Sequence, residues 1–60
     1  MPVVLIKVRK GFSTEQKRQI VKEFTNTLVS VGGVKPELVT IMIEELDLEN
    51  IASAGKLRCD

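Results

Sequence analysis

Two aliphatic segments on either side of one amphipathic segment constrain the fold of this chain more than any other feature. Residues 3–9 (VVLIKVR) and 38–46 (LVTIMIEEL) are rich in β-branched and aliphatic side chains, which favours strands. Between them, apolar side chains recur at three- and four-residue steps, as in an amphipathic helix. These side chains are Ile20, Val21, Phe24, Leu28 and Val31. Strand, helix and strand with short connections predict a right-handed β-α-β unit with parallel strands.

The predicted helix has recognisable ends. Ser13 followed by Gln16 fits a capping box, in which each side chain accepts a hydrogen bond from the other residue's backbone amide. Gly32-Gly33 supplies the left-handed stop that ends many helices. We therefore expect a helix from Ser13 to Val31. The tail, residues 47–60, is predicted to form a short hairpin or an arm that reaches a neighbouring subunit.

Size and composition predict a single α+β domain, residues 1–60, that assembles into an oligomer. A core this small seldom supplies more than about 3–5 kcal/mol of stability. Cys59 is the only cysteine and there is no histidine, so an internal disulfide is impossible and a metal is not expected. Self-association is then the remaining way to stabilise so small a domain, and a hydrophobic content of 43% agrees with it. A lone thiol and no recognisable export signal predict a cytoplasmic protein.

Charge and aromatic content argue against two classes of partner. Nine Lys/Arg and eight Asp/Glu leave a formal net charge of +1, and the chain has no Tyr or Trp. Neither an electrostatic surface for nucleic acid nor a set of stacking platforms for bases follows from such a composition. No apolar run approaches the length of about 20 residues that spans a bilayer. We expect neither nucleic acid nor membrane as a partner.

Taken together, these features resemble the 4-oxalocrotonate tautomerase family. The matching residues are Pro2 behind Met1, Gly11, Ser13, Glu15, Gln16, Lys17 and the strand from Val39 to Glu45. The resemblance implies a tautomerase-like subunit, either of a homohexamer built as a trimer of dimers or of a dimer. It also implies that Pro2, exposed by removal of Met1, is a general base that moves a proton between carbons of a small enol or 2-oxo carboxylic acid. No cofactor is implied.

Three substrate contacts of the family are replaced here. The family's arginine at the helix entry falls on Phe12, and its second arginine, early in the second strand, falls on Thr40. The aromatic pocket residue of the tail falls near Ile51. These replacements put the family's reference substrate, a dicarboxylic dienol, in question.

A terminal proline can act as a base only if its amine is neutral near the working pH. Burial in apolar surroundings and nearby positive charge both lower the pKa of an amine. Apolar surroundings could come from Val3, Leu5, Met42 and Ile51, and positive charge from Lys7, Arg9 and Lys10, of the same subunit or a neighbour.

Arg9 is the predicted carboxylate anchor, since a guanidinium binds a carboxylate through two parallel hydrogen bonds. The alternative is that Arg9 and Lys7 pair with Glu44 or Glu45 at a subunit interface. The function predicted from the sequence is a tautomerase acting on a small carboxylate, with Pro2 catalytic and Arg9, Lys7, Phe12, Thr40 and Ile51 around the substrate. The alternative function is a catalytically weak or silent paralogue that serves as an oligomeric or ligand-binding subunit.

Overall fold

A computed structural model describes residues 2–60, and Met1, whose removal the Pro2 mechanism requires, lies outside the described residues. Strand β1 is followed by helix α1, strand β2 and a hairpin of strands β3 and β4. Their bounds are Val3–Arg9, Thr14–Gly32, Thr40–Leu46, Ala52–Ser53 and Lys56–Leu57. Two single turns of 3₁₀ helix, Pro36–Leu38 and Leu48–Asn50, precede β2 and β3.

Strands β1 and β2 are parallel, which confirms the predicted β-α-β unit. Their register runs from Val3 opposite Thr40 to Arg9 opposite Leu46. The predicted start of the second strand at residue 38 was wrong, because Pro36–Leu38 forms a 3₁₀ turn and β2 begins at Thr40. Proline has a fixed φ and no amide hydrogen, so it suits the first position of such a turn.

The caps of α1 form as the sequence predicts. The Gln16 amide donates to Ser13 Oγ at 3.1 Å, and the Ser13 amide donates to Gln16 Oε1 at 2.8 Å. Gly33 ends the helix with φ +69°, and its amide donates to the Val29 carbonyl at 3.1 Å. The helix therefore spans Thr14–Gly32, with Ser13 as the N-cap residue.

One face of the β1–β2 sheet is covered by α1 and the other is open. The covered face carries half-buried aliphatic residues, namely Val4, Ile6, Val8, Ile41 and Ile43. On α1, Ile20, Val21 and Leu28 are half-buried, whereas Val31 in the last turn is 84% exposed, so the packed stripe ends before it. The open face carries Val3 and Leu5, each 54% exposed, and Met42, 49% exposed.

No residue among 2–60 is fully buried in the isolated subunit. Its accessible surface is 4807 Å², whereas a compact protein of this mass exposes about 3,900 Å². Its radius of gyration is 14.5 Å, whereas a compact domain of this length has about 10 Å. The subunit is a thin slab that leaves apolar surface uncovered.

The tail forms the hairpin that was one of its two predicted arrangements. Ala52 pairs with Leu57 and Ser53 with Lys56 in antiparallel register. The two turn residues between the strands, Ala54 and Gly55, have φ of 52° and 79°. Two consecutive positive φ angles are typical of the tight turns that join β-hairpins. No helix within the described range is both long and apolar enough to cross a membrane.

Candidate active site

Pro2 lies immediately before β1 and next to the start of β2. Its carbonyl oxygen accepts a hydrogen bond from the Thr40 amide at 3.1 Å, and its side chain is half-buried. The structure therefore brings together two of the predicted site residues, Pro2 and Thr40. On the open face beside them, Leu5 stands opposite Met42 in the strand register. Both side chains are apolar and exposed in the single chain.

Arg9 lies at the opposite end of the same strand. It is seven residues beyond Pro2, which corresponds to about 23 Å at the rise of an extended strand. An arginine side chain cannot span that distance, so one subunit alone does not bring Arg9 to Pro2. Lys7, five residues beyond Pro2, is also separated from it. Neither Arg9 nor Lys7 therefore reaches Pro2 of its own chain.

A shallow cleft of about 190 Å³ opens at the Arg9 end of β1. It is lined by Arg9, Lys10, Gly11, Phe12 and Gln16. Gly11 has φ +130°, a conformation that other residues rarely adopt, so it allows the chain to leave the strand sharply toward the helix. Phe12 is 38% exposed. Two predicted site residues, Arg9 and Phe12, thus share one cleft.

The two cations of the cleft differ in their partners. Lys10 Nζ lies 2.9 Å from Asp47 Oδ1, and the hydrogen bond to this carboxylate, with its negative charge, raises the pKa of Lys10. Arg9 has no ion pair within residues 2–60. Because the charge of Lys10 is bound to Asp47, it has little effect on a distant amine. The Arg9 guanidinium, in contrast, is available to bind a ligand.

Among residues 2–60 of one subunit, neither Arg9 nor Lys7 forms an ion pair with Glu44 or Glu45, the partners predicted for them at a subunit interface. Glu45 pairs with Lys17 of α1 and so ties β2 to the helix. Glu44 lies opposite Lys7 in the strand register, but the described residues contain no ion pair between them. A pairing of Glu44 with Arg9 or Lys7 across subunits stays a prediction.

Ile51 lies at the base of the hairpin, after the second 3₁₀ turn. Its side chain is half-buried, and its carbonyl accepts a hydrogen bond from the Arg58 amide at 2.7 Å. This bond fixes Ile51 to the far side of the hairpin. Its predicted place beside the substrate stays a prediction.

Gln16 is the cleft residue that sequence reasoning missed. The capping box assigned its side chain to Ser13, and the structure confirms that bond through Oε1. No hydrogen bond within residues 2–60 uses its amide nitrogen Nε2, so this group can donate into the cleft. The position of Gln16 in the sequence could have indicated this. A residue in the first turn of a helix lies close to the loop that leads into the helix, and here that loop lines the cleft.

Comparison with known proteins identifies the family. The family model described as tautomerase enzyme matches residues 2–58. The chain belongs to the tautomerase family. The tautomerase-family resemblance inferred from Pro2 and the helix entry is thereby confirmed.

Individual tautomerases align with almost the whole chain. The 2-hydroxymuconate tautomerase of Bacillus subtilis (strain 168) is 35% identical over 60 residues, which covers 100% of this chain and 97% of that protein. A structure of 4-oxalocrotonate tautomerase isozymes from Methylibium petroleiphilum matches with 33% identity and a TM-score of 0.93, covering 97% of this chain and 91% of that one. The crystal structure of YwhB, a 4-oxalocrotonate tautomerase homologue, matches with 34% identity and a TM-score of 0.94, covering 98% and 97%.

Proposed function

We propose that this tautomerase-family protein is an isomerase that moves a proton between carbons of a small enol or 2-oxo carboxylic acid. Pro2, freed by removal of Met1, is the general base. The observation that carries the proposal is the position of Pro2: its carbonyl is fixed by the Thr40 amide, and its strand opens onto the apolar surface of Leu5 and Met42.

The proton transfer needs no group beyond the amine and an anion anchor. The neutral nitrogen of Pro2 takes a proton from the carbon beside the carbonyl, and the bonding electrons form an enolate. The resulting ammonium then delivers the proton to another carbon of the same molecule. Hydrogen-bond donors placed around the developing oxyanion lower the barrier, as in other enzymes that form enolates.

A second copy of the chain supplies the anion anchor. Because the sheet has only two strands, β1 keeps one edge free of partners within the subunit. If β1 pairs antiparallel with β1 of another copy about a two-fold axis at Ile6, Val3 of one chain faces Arg9 of the other. Residues directly opposite in such a pair lie about 5 Å apart and point to the same face. Arg9 of each subunit then reaches the Pro2 end of its partner.

The open sheet face supports the same homo-oligomer. The accessible surface of the single chain exceeds that of a compact protein of the same mass by about 900 Å². This excess is close to the roughly 800 Å² that each partner buries in a standard interface. Pairing of the β1 edges leaves this face open, so it is packing of the open faces against one another, as in a hexamer of three such dimers, that would cover Val3, Leu5 and Met42. Burial of these residues between subunits would also exclude water from the surroundings of Pro2.

A second candidate function is a catalytically silent oligomeric subunit. Phe12 and Thr40 stand where the family resemblance places arginines, and this observation favours it. Such a subunit would keep the fold and the interface and would not turn over substrate.

The decisive experiment compares two proline variants of the processed protein. Mass spectrometry first establishes that Met1 is absent. Pro2→Ala should lower kcat for ketonisation of enolpyruvate by about 10²–10⁴-fold, the usual contribution of a general base. Pro36→Ala, at the only other proline, lies in the 3₁₀ turn and should keep the parent rate. Equal rates in the parent and Pro2→Ala, or a Met1 retained in the native host, would instead support the silent subunit.

A further inference from the structure

The cleft at the end of β1 joins a free cation to an aromatic ring. Its volume of about 190 Å³ is below the range of about 300–1,000 Å³ that is usual for a complete ligand site. The cleft therefore holds part of a small molecule, and another surface completes the site. In the pairing about Ile6, that surface is the Pro2 end of the partner subunit.

The cleft offers one binding group for a carboxylate. Lys10 is engaged by Asp47 at 2.9 Å, so of the two cations that line the cleft Arg9 is the one without an ion pair within residues 2–60. The Nε2 group of Gln16 adds a neutral donor at the same cleft. One carboxylate satisfies this arrangement, and a second would have to compete with Asp47 for Lys10.

Phe12 is the one large apolar side chain among the described residues that line the cleft. Phe12 is 38% exposed, and Gly11 next to it has no side chain to obstruct the approach to its ring. Aromatic groups pack favourably against such a ring in offset or edge-to-face arrangements. A carboxylate forced against the ring would lose water without gaining a partner, which is costly.

We infer that the substrate class is an enol or 2-oxo monocarboxylic acid with an aryl or similarly flat apolar substituent, whose carboxylate binds Arg9 and whose ring packs on Phe12. This inference rests on the proposed function and adds the specificity of its site. Phe12 is the residue that selects the ring.

The reaction conserves atoms and electrons. In ketonisation of an aryl enolpyruvate, the neutral Pro2 amine takes the proton of the enol hydroxyl, the C2–O bond becomes a carbonyl, and the electron pair of the C2–C3 double bond moves to C3. The Pro2 ammonium formed in this way donates the proton to C3 and returns to the neutral amine. No oxidant or second substrate takes part.

The test measures ketonisation of three enols by absorbance, each with the processed parent and its variants. Phenylenolpyruvate carries the ring, 2-hydroxymuconate carries a second carboxylate, and enolpyruvate carries neither. The parent should favour phenylenolpyruvate over 2-hydroxymuconate in kcat/KM. Phe12→Ala should lower kcat/KM for phenylenolpyruvate by about tenfold or more, as expected when an apolar pocket contact is lost, and should lower kcat/KM for enolpyruvate less, because that substrate has no ring.

Two further variants make the test specific. Phe24→Ala removes the chain's other phenylalanine, which lies on α1 outside the cleft, and should keep the parent ratio between substrates. If Phe24→Ala does not fold, Phe24→Leu replaces it. Phe12→Arg should shift the preference toward 2-hydroxymuconate by adding a cation for the second carboxylate.

The outcomes separate this inference from the function on which it rests. Pro2-dependent ketonisation with a substrate ratio that Phe12→Ala does not change would overturn the role of Phe12 and leave the isomerase intact. Ketonisation of no enol, or equal rates in Pro2→Ala, would overturn the proposed function itself.

Discussion

Replacement of Leu5 by glutamate tests whether the open face of the sheet is buried between subunits. Leu5 is 54% exposed in the single chain. Full burial of a leucine contributes about 1.5–3 kcal/mol, so covering its exposed half contributes about 1–1.5 kcal/mol. A glutamate at this position would lose that term and would also need to shed the water around its carboxylate, at several kcal/mol.

The combined penalty is at least about 4 kcal/mol per subunit. A two-fold contact between two open faces contains the substitution twice, which gives about 8 kcal/mol per contact. Since each 1.4 kcal/mol is a tenfold change, the association through this face should weaken by more than about five orders of magnitude. Because no described residue is buried in the single chain, the released subunit has no core of its own and should unfold.

Sedimentation velocity and far-UV circular dichroism measure the two consequences. Leu5→Glu should lose both the oligomer and its helical signal at micromolar concentration. Val31→Glu is the matched control, because Val31 is 84% exposed on α1; a carboxylate near a helix C-terminus costs within about 1 kcal/mol. If Leu5→Glu sediments like the parent and keeps its spectrum, or if the parent itself is a stable monomer, the open face is not an interface.

Two other substitutions follow from the site and the helix cap. Arg9→Ala should raise KM for a carboxylate substrate by about tenfold or more, since hydrogen bonds to charged groups contribute about 1.5–3 kcal/mol. Lys10→Ala should leave KM unchanged because Lys10 is bound to Asp47, and equal effects of the two would argue against the anchor. Ser13→Ala should lower the free energy of unfolding by about 1 kcal/mol per subunit, measured by urea denaturation. Ser30→Ala, whose hydroxyl makes only a 3.5 Å contact with Thr27, serves as its control, and a matching loss there would refute the cap argument.

Local structure was predictable because its signals lie close together in the sequence. The bounds of β1 and the capping box of Ser13 and Gln16 depend on neighbours within a few residues. The start of β2 was misjudged by two residues because the turn at Pro36–Leu38 extends into an aliphatic run. Leu38 and Val39 have strand-forming side chains, and the hydrogen bonds from their amides to the carbonyls of Lys35 and Pro36 distinguish the turn from a strand.

The sequence by itself determined the β-α-β order, the family through Pro2 and the helix entry, and the small size of the core. The tertiary structure decided which of those residues meet. It set Thr40 beside Pro2 and joined Arg9 with Phe12 in one cleft. Periodicity reports the direction of each side chain along its own element, whereas distances between residues far apart in sequence depend on strand register and on loop geometry, which form only when the elements pack.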